Sequence, residues 1–453
     1  MVAEIIIDSK AKKLNRKFDY EIPKELEDIV DVGSRVLVPF GNFKTLEQGY
    51  ILKIKEKSDY EVKKIAGLEE NLPPEKIELA RWMARKYFCN VSECIKLMLT
   101  PGTRSKNKDD RTKDKTLNYI YLNKQVEEIN IDSLRGEKQK KLIEFIKNNE
   151  GLTIPEIETF AEISRSTVNS LVNRGILKIV NEKIDRNPLA KKEIENNKKL
   201  VLNEEQEDAY KKIERVMEEN RYEKFLIYGI TGSGKTEIYL QLIEKAIIQN
   251  KSAIVLVPEI SLTPQMLDRF IGRFGKEKIA VLHSKLSIGE RHDEWERIKN
   301  GEAKIVIGAR SAIFAPCGNL GVIIIDEEHD SSYKSESSPR YSAKEVAEKI
   351  ASNNLVPLVL GSATPDLRTF YDTENGNTTL LKLTKRANNS SLPSVEVVDL
   401  KFELATGNRS MISNLLYSEI EKNLKEKKQT ILFLNRRGYS TFIMCRNCGY
   451  TLK

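Results

Sequence analysis

At 453 residues the chain is long enough for several domains, on the order of three at ordinary domain sizes. With 40% hydrophobic and 31% charged residues it excludes a disordered chain, and no apolar run approaches the roughly 18 residues of a membrane-spanning helix. A net charge of +8, from 75 basic and 67 acidic residues, permits a polyanionic partner but equally suits a solvated lysine-rich surface. The cysteines, Cys89, Cys94, Cys317, Cys445 and Cys448, are too sparse for a disulfide framework. The opening "MVAEIIIDSKAKK" lacks the apolar stretch and cleavage site of a signal peptide. A cytoplasmic protein with no membrane partner is expected.

The first segment, 1–102, reads as β-rich: "AEIIID", "SRVLVPF" and "GYILKIKEK" are short strands punctuated by Gly33 and Pro39–Gly41. The helix "PPEKIELARWMARKYF" follows, with its prolines at the start, where they are tolerated. "TRSKNKDDRTKDKT", with six basic and three acidic residues, reads as a linker or mobile loop. Across 116–185, "LTIPEIETFAEI" and "SRSTVNSLVNRG" have helical spacing with a short turn between them, which predicts a helix-turn-helix with a wing or a small helical connector. A second polar stretch, "DRNPLAKKEIENNKK", leads to residue 201. From there to 388, continuous apolar runs ("FLIYGI", "AIVLVPE", "IAVLHS", "AKIVIGA", "GVIIIDE", "VPLVLGS") alternate with helical segments. Runs that do not alternate suit strands buried on both faces of a parallel α/β sheet.

The first of those runs leads into "GITGSGKT": Gly229, Ile230, Thr231, Gly232, Ser233, Gly234, Lys235 and Thr236. This is G-x-x-x-x-G-K-[ST] between a strand and a helix. Its glycines let several N–H groups face one phosphate, Lys235 reaches the β and γ phosphates, and Thr236 ligates Mg²⁺. Downstream, "VIIIDEEHD" ends a buried strand in Asp326, Glu327, Glu328 and His329. Asp326 is placed to hold Mg²⁺ and Glu327 to take a proton from the attacking water. Together the two motifs predict a nucleoside triphosphatase.

In this context the sequence resembles superfamily 2 helicases, which implies a RecA-like lobe. "DEEH" stands in the D-E-x-H position and "GSATP" is similar to the S-A-T motif. The resemblance gives Ser362 and Thr364, with His329, a role coupling hydrolysis to DNA. Gln206 in "LNEEQEDAY" resembles the adenine-reading glutamine, and its amide offers the adenine edge a donor and an acceptor. "LVPEISLTPQM" and "GARSAIFAP" resemble the strand-contacting motifs. Ser261, Thr263, Gln265 and Arg310 are the groups able to meet phosphates there.

The match narrows further. "DEEHDSSYKSESSPRYSAKEVA", "PEISLTPQM" and "LNRRGYSTFIMCRNCGY" closely resemble the primosomal protein N′ family of replication-restart DNA helicases. So does "KFDYEIPKEL…VGSRVLVPFGNFKTLEQGYIL", which looks like that family's domain for a DNA 3′ end. The resemblance places Phe18, Asp19, Gly41 and Lys63 at the pocket for the terminal nucleotide. Without it, Phe18 reads equally as core and Lys63 as a solvated lysine. An aromatic loop, Tyr333 to Tyr341, is implied to couple DNA to hydrolysis through Arg340 and Tyr341. Ser335 and Ser342 depart from the glutamine and histidine frequent in the family at these positions.

The segment 389–453 is expected to start a second helicase lobe, with Cys445 and Cys448 as half of a zinc site or as free surface thiols. The arginine finger and further cysteines of the family lie beyond it, so the chain reads as a fragment with weak or no turnover. The expectation is a multidomain α/β protein: a small β-rich domain, a winged helix, a RecA-like P-loop lobe and the start of another. Its expected ligands are ATP, Mg²⁺ and Zn²⁺. Its expected activity is 3′-to-5′ unwinding of forked DNA, with primosome proteins, single-stranded DNA-binding protein and the replicative helicase as partners. An RNA helicase or a non-catalytic fork-binding module are the alternatives.

Overall fold

The computed structural model describes residues 1–8, 16–41, 46–103, 116–123, 136–148, 152–154, 157–158, 161, 163–183, 197–387, 394–433, 443–444 and 451–452. The chain divides into two units, Met1–Asn389 and Ser390–Lys453.

The first unit begins with six strands, β1 (Val2–Ile7), β2 (Lys17–Glu21), β3 (Ser34–Pro39), β4 (Leu46–Lys55), β5 (Lys63–Lys64) and β6 (Gly67–Asn71), in the order β5-β2-β1-β4-β3-β6. One face packs Ala3, Ile5, Tyr20, Val36 and Ile51. The other face holds Ile6, Tyr50 and Leu52 against helices α1 (Pro74–Lys86) and α2 (Val91–Lys96). These helices do not close a private core. Ile77, Met83, Ile95 and Leu99 belong to one apolar cluster with Trp295, Phe314 and Tyr341 of the following lobe.

Next come β7 (Thr116–Leu122), α3 (Glu137–Asn148), β8 (Leu152–Thr153), α4 (Arg165–Asn173) and β9 (Leu177–Lys183). Their sheet runs β8-β7-β9 over a core of Ile120, Leu142, Ile146, Val168 and Leu171. The helix expected from "SRSTVNSLVNRG" is α4 and the strand after it is β9. The helix before it falls partly outside the described residues.

The lobe from residue 197 contains α5 (Glu204–Glu218), β10 (Lys224–Gly229), α6 (Lys235–Ile248), β11 (Ser252–Leu256), α7 (Pro264–Phe274), β12 (Ile279–Leu282), α8 (Ile288–Lys299), β13 (Ile305–Gly308), β14 (Leu320–Ile325), α9 (Ala343–Asn354), β15 (Leu358–Ser362), α10 (Leu367–Glu374) and β16 (Thr379–Leu383). All the foreseen apolar runs are strands, joined by β16, in one parallel sheet ordered β12-β13-β11-β14-β15-β10-β16. Alternate residues enter two separate clusters, Leu226, Ile254 and Ile323 on one face and Ile227, Val255 and Ile324 on the other. Burial on both faces explains why the runs do not alternate. The register pairs Tyr228 with Ser362 and Ile325 with Leu360, so Gly229, Gly361 and Asp326 emerge along one carboxyl edge. Ligands of open α/β sheets bind at that edge.

The second unit contains α11 (Leu400–Ala405), α12 (Asn414–Lys425) and the antiparallel pair β17 (Ile443–Met444) and β18 (Thr451–Leu452). In this unit, where a second lobe is expected to start, residues 431–433 form no strand, and Ile431 and Phe433 are 92% and 86% exposed. Cys445 and Cys448 lie outside the described residues. Among the described residues no group of side chains is arranged to hold a metal ion, and no helix is long and apolar enough to cross a membrane.

Candidate nucleotide-binding site

The phosphate loop leaves β10 at Gly229 and enters α6 at Gly234. Gly232 and Gly234 take φ of 81° and 84°, the left-handed region that glycine enters without strain. Gly234 caps α6 with no side chain over its first N–H groups, so those donors face the loop. A Cβ at Gly229 would lie 2.5 Å from the Ser233 hydroxyl oxygen, which is buried and has no hydrogen-bond partner. An orphaned buried hydroxyl in a glycine cradle fits a polyanion, since buried polar groups are normally paired. Lys235 turns back and donates to the Gly229 carbonyl at 2.7 Å, while Thr236 stands half-buried at the first turn of α6.

Gln206, expected to read the adenine edge, makes a hydrogen bond at each end of its amide in this structure. Its Nε2 donates to the Ser233 carbonyl at 2.7 Å and its Oε1 accepts from the Asn203 N–H at 2.9 Å. The second bond completes a capping box at the start of α5. Gln206 is buried against the loop and props it from beneath.

Asp326 sits just past β14, its side chain accepting from the Tyr239 hydroxyl at 3.1 Å and its carbonyl from the Tyr333 hydroxyl at 2.6 Å. Burial first, then the Glu327 carboxylate, push Asp326 above the ordinary aspartate range, against the pull of the Tyr239 hydroxyl and Lys235. Tyr239, one turn along α6 from Lys235, holds the Asp326 carboxylate, so the lysine and the carboxylate belong to the same edge of the sheet. A raised carboxylate pKa favours the neutral folded form, so this group's contribution to stability is full at low pH and is lost as pH rises through the folded pKa. Cation binding has the opposite sign, because it needs the anion. Affinity for Mg²⁺ in the presence of nucleotide is expected to fall on mild acidification, before an ordinary aspartate would titrate. A Mg²⁺ titration monitored by a fluorescent ATP analogue, repeated across pH, measures this; a flat profile down to the ordinary aspartate range contradicts it.

Glu327 adopts φ of 45°, a left-handed conformation that costs a non-glycine residue about 1–3 kcal/mol and collects at functional sites. It is fixed by its neighbour. Glu328 is fully buried and accepts from Lys344 Nζ at 2.8 Å, the Asp366 N–H at 2.7 Å and the Thr369 hydroxyl at 2.9 Å. His329 Nδ1 lies 2.8 Å from the Ser362 hydroxyl, which also accepts the Thr364 N–H at 3.0 Å. The three residues assigned to coupling thus form one chain of hydrogen bonds between β14 and β15.

The aromatic loop folds inward. Tyr341 is 3% exposed, edge-on to Phe314 at 5.1 Å, with the Arg310 guanidinium 5.8 Å over its ring. It offers no face to a base in this arrangement, because its ring completes the lobe core. Arg310 also donates to the Ser332 carbonyl at 3.1 Å and to that of Lys334, so it shapes the loop. Ser335 closes the loop, its N–H donating to the Tyr341 carbonyl at 2.8 Å and its hydroxyl to the Ser337 carbonyl at 2.9 Å. Arg340 is exposed.

In the first domain, Phe18 meets Phe40 edge-on at 5.2 Å, and Lys63 donates to the Gly41 carbonyl at 2.9 Å. Phe18, Gly41 and Lys63 therefore gather at the β2–β5 edge. Asp19 does not join Phe18, since successive strand residues face opposite sides. Burial would raise its pKa, but Lys55 at 2.7 Å and Ser58 at 2.6 Å outweigh it and hold the carboxylate charged. Tyr239 was not singled out from the sequence, and Glu328 and Tyr333 were named without a role of their own; the partner of Tyr239 is 87 residues away and one partner of Glu328 is 41.

Two family models match separate stretches of the chain. A family model described as "3'DNA-binding domain (3'BD)" matches residues 4–100, and one described as "Type III restriction enzyme, res subunit" matches residues 199–367. The chain is 39% identical to the replication restart protein PriA of Bacillus subtilis (strain 168), covering 99% of this chain and 64% of that protein. It is 36% identical to the PriA of Chlamydia trachomatis serovar D, covering 100% of this chain and 61% of that one. In Treponema pallidum the same-named protein is 48% identical over 50% of this chain and 34% of its own length. The chain thus spans a little under two thirds of the first two relatives.

Proposed function

This chain belongs to the family of the replication restart proteins PriA, and from that premise we propose that it carries the 3′-end-binding and nucleotide-binding parts of an ATP-dependent 3′-to-5′ DNA helicase. One observation carries the nucleotide half: Tyr239, one turn along α6 from Lys235, holds Asp326 at the same carboxyl edge that carries the loop with its orphaned Ser233 hydroxyl. Gly232, Gly234, Lys235 and the first turn of α6 would hold the phosphates, and Thr236 and Asp326 the Mg²⁺. Bound Mg²⁺ supplies charge neutralisation at the transferring phosphoryl group. Glu327, presented by its left-handed backbone, positions a water and takes its proton. His329, Ser362 and Thr364 tie that carboxylate to the strand beside it.

The DNA half rests on Phe18, Gly41 and Lys63, which offer an aromatic edge, a backbone approach and a cation at one sheet edge. Asp19, held by Lys55, is the acceptor for the terminal hydroxyl only if that pair opens. Arg340 is the exposed cation of the aromatic loop available to a phosphate. Fork recognition during replication restart is the biological setting, with primosome proteins, single-stranded DNA-binding protein and the replicative helicase as partners. Cys445 and Cys448 remain candidate zinc ligands, for which two more donors are required.

Fluorescence anisotropy with a forked DNA bearing a free 3′ end, the same fork with a blocked 3′ end, and an RNA duplex tests this reading. The free-ended fork is expected to bind tightest. Phe18→Ala should weaken it roughly 5- to 150-fold, the range of about 1–3 kcal/mol per stacked base. Equal affinity for the blocked fork or for the RNA would overturn the DNA half.

A further inference from the structure

Between α1 and α2 the chain brings two thiols together. The Sγ atoms of Cys89 and Cys94 are 3.4 Å apart; Cys94 is fully buried and Cys89 half-buried. Cys89 follows Phe88, which is 96% exposed with φ of 51°, so the link between the helices bends at one solvent-facing residue, while Tyr87 and Cys89 on either side of it rest against the shared apolar cluster. On either side of the pair stand residues that grip the lobe. Tyr87 donates to Glu345 of α9 at 2.7 Å, and Glu93 accepts from the Ser338 hydroxyl of the aromatic loop at 2.6 Å.

We propose that Cys89 and Cys94 form a reversible dithiol–disulfide site, oxidised by hydroperoxides, that loosens the hold of α2 on the aromatic loop. A disulfide needs a sulfur separation of about 2.05 Å, so the thiols must close by roughly 1.4 Å. The exposed bend at Phe88 can absorb that movement. The buried Cys94 thiol donates toward Cys89 and lowers the Cys89 pKa against its burial, which makes Cys89 the attacking sulfur and Cys94 the resolving one. The Cys89 thiolate attacks one peroxide oxygen, the O–O bond breaks, and a sulfenic acid forms as hydroxide departs and is protonated to water. The Cys94 sulfur then attacks the Cys89 sulfur, the S–O bond breaks, and the Cys94 proton leaves with the second water. Two thiols are oxidised and one peroxide is reduced. Glu93 adjoins Cys94 and Tyr87 lies two residues before Cys89, so the closure pulls directly on both contacts to the lobe.

Peptide mapping tests the site on the whole chain. Trypsin releases residues 87–96, "YFCNVSECIK", with both cysteines on one peptide. After hydrogen peroxide, this peptide is expected to lack two hydrogens and to resist iodoacetamide until a reductant is added. Cys317, whose thiol burial pushes up to about 12, serves as the internal control. In Cys94→Ser, Cys89 should over-oxidise irreversibly instead. Hydrogen exchange across 335–341 should quicken on oxidation of the native chain and stay unchanged in Cys89→Ser. A native chain whose Cys89 alkylates equally before and after peroxide overturns the site. Complete disulfide formation with unchanged exchange at 335–341 overturns the switch.

Discussion

Lys235→Ala is expected to weaken Mg·ATP binding by roughly 10- to 150-fold, equivalent to the ~1.5–3 kcal/mol of a hydrogen bond to a charged group. The ammonium rests on the Gly229 carbonyl at 2.7 Å, on the strand side of a loop whose amides face the phosphate position. Its removal also takes away a charge that favours the Asp326 anion, so Mg²⁺ affinity should fall with it. The Gly229 carbonyl is buried at the end of β10 and loses this donor, so a stability cost of about 1–3 kcal/mol should accompany the loss of binding. Binding of a 3′-ended fork should stay within about twofold, since Phe18, Gly41 and Lys63 touch none of these atoms. Calorimetry with Mg·ATP and anisotropy with the fork measure the two effects separately. Loss of both would mean that the site and the first domain do not act independently.

Gly361→Ala should be as damaging for a different reason. A Cβ there would lie 1.6 Å from the Tyr239 hydroxyl oxygen, 2.9 Å from its Cζ and 3.3 Å from Asp326 Oδ1. Tyr239 is 1% exposed and has nowhere to rotate. The variant must break the Tyr239–Asp326 bond and shift the ring, combining overpacking of about 1–3 kcal/mol with loss of a charge-assisted bond of about 1.5–3 kcal/mol. A fall in thermal midpoint of about 5–25 °C follows for a lobe of this size. Adding Tyr239→Phe removes the atom at 1.6 Å and should restore part of the midpoint while leaving Mg²⁺ affinity low. If the double variant is no more stable than Gly361→Ala alone, the hydroxyl is not the obstacle.

The phosphate loop, the acidic strand end and the six apolar strands were legible in the sequence because each is local. A continuous apolar run reports burial on both faces, and "GSGKT" reports its own backbone. What the sequence concealed is made by distant partners. Tyr239 reads as a helix residue until Asp326 arrives beneath it. Gln206 reads as a base contact, and nothing local reveals that Ser233 and Asn203 also engage its amide. Tyr341 reads as a stacking platform until Phe314 and Arg310 enclose it. Asp19 and Phe18 are neighbours in sequence, yet strand alternation separates them and Lys55 claims the carboxylate. Glu328, between two residues expected to do chemistry, instead anchors them through Lys344, Asp366 and Thr369.

The apolar cluster shared by α1, α2 and the lobe has a practical corollary. The matched 3′-end segment stops at residue 100, but Ile77, Met83, Ile95 and Leu99 lean on Trp295, Phe314 and Tyr341. Expressed by itself, that segment would present a greasy flank to water and should self-associate, whereas polar replacements along the flank should keep it monomeric. A boundary drawn from similarity is here not a seam along which the molecule can be cut.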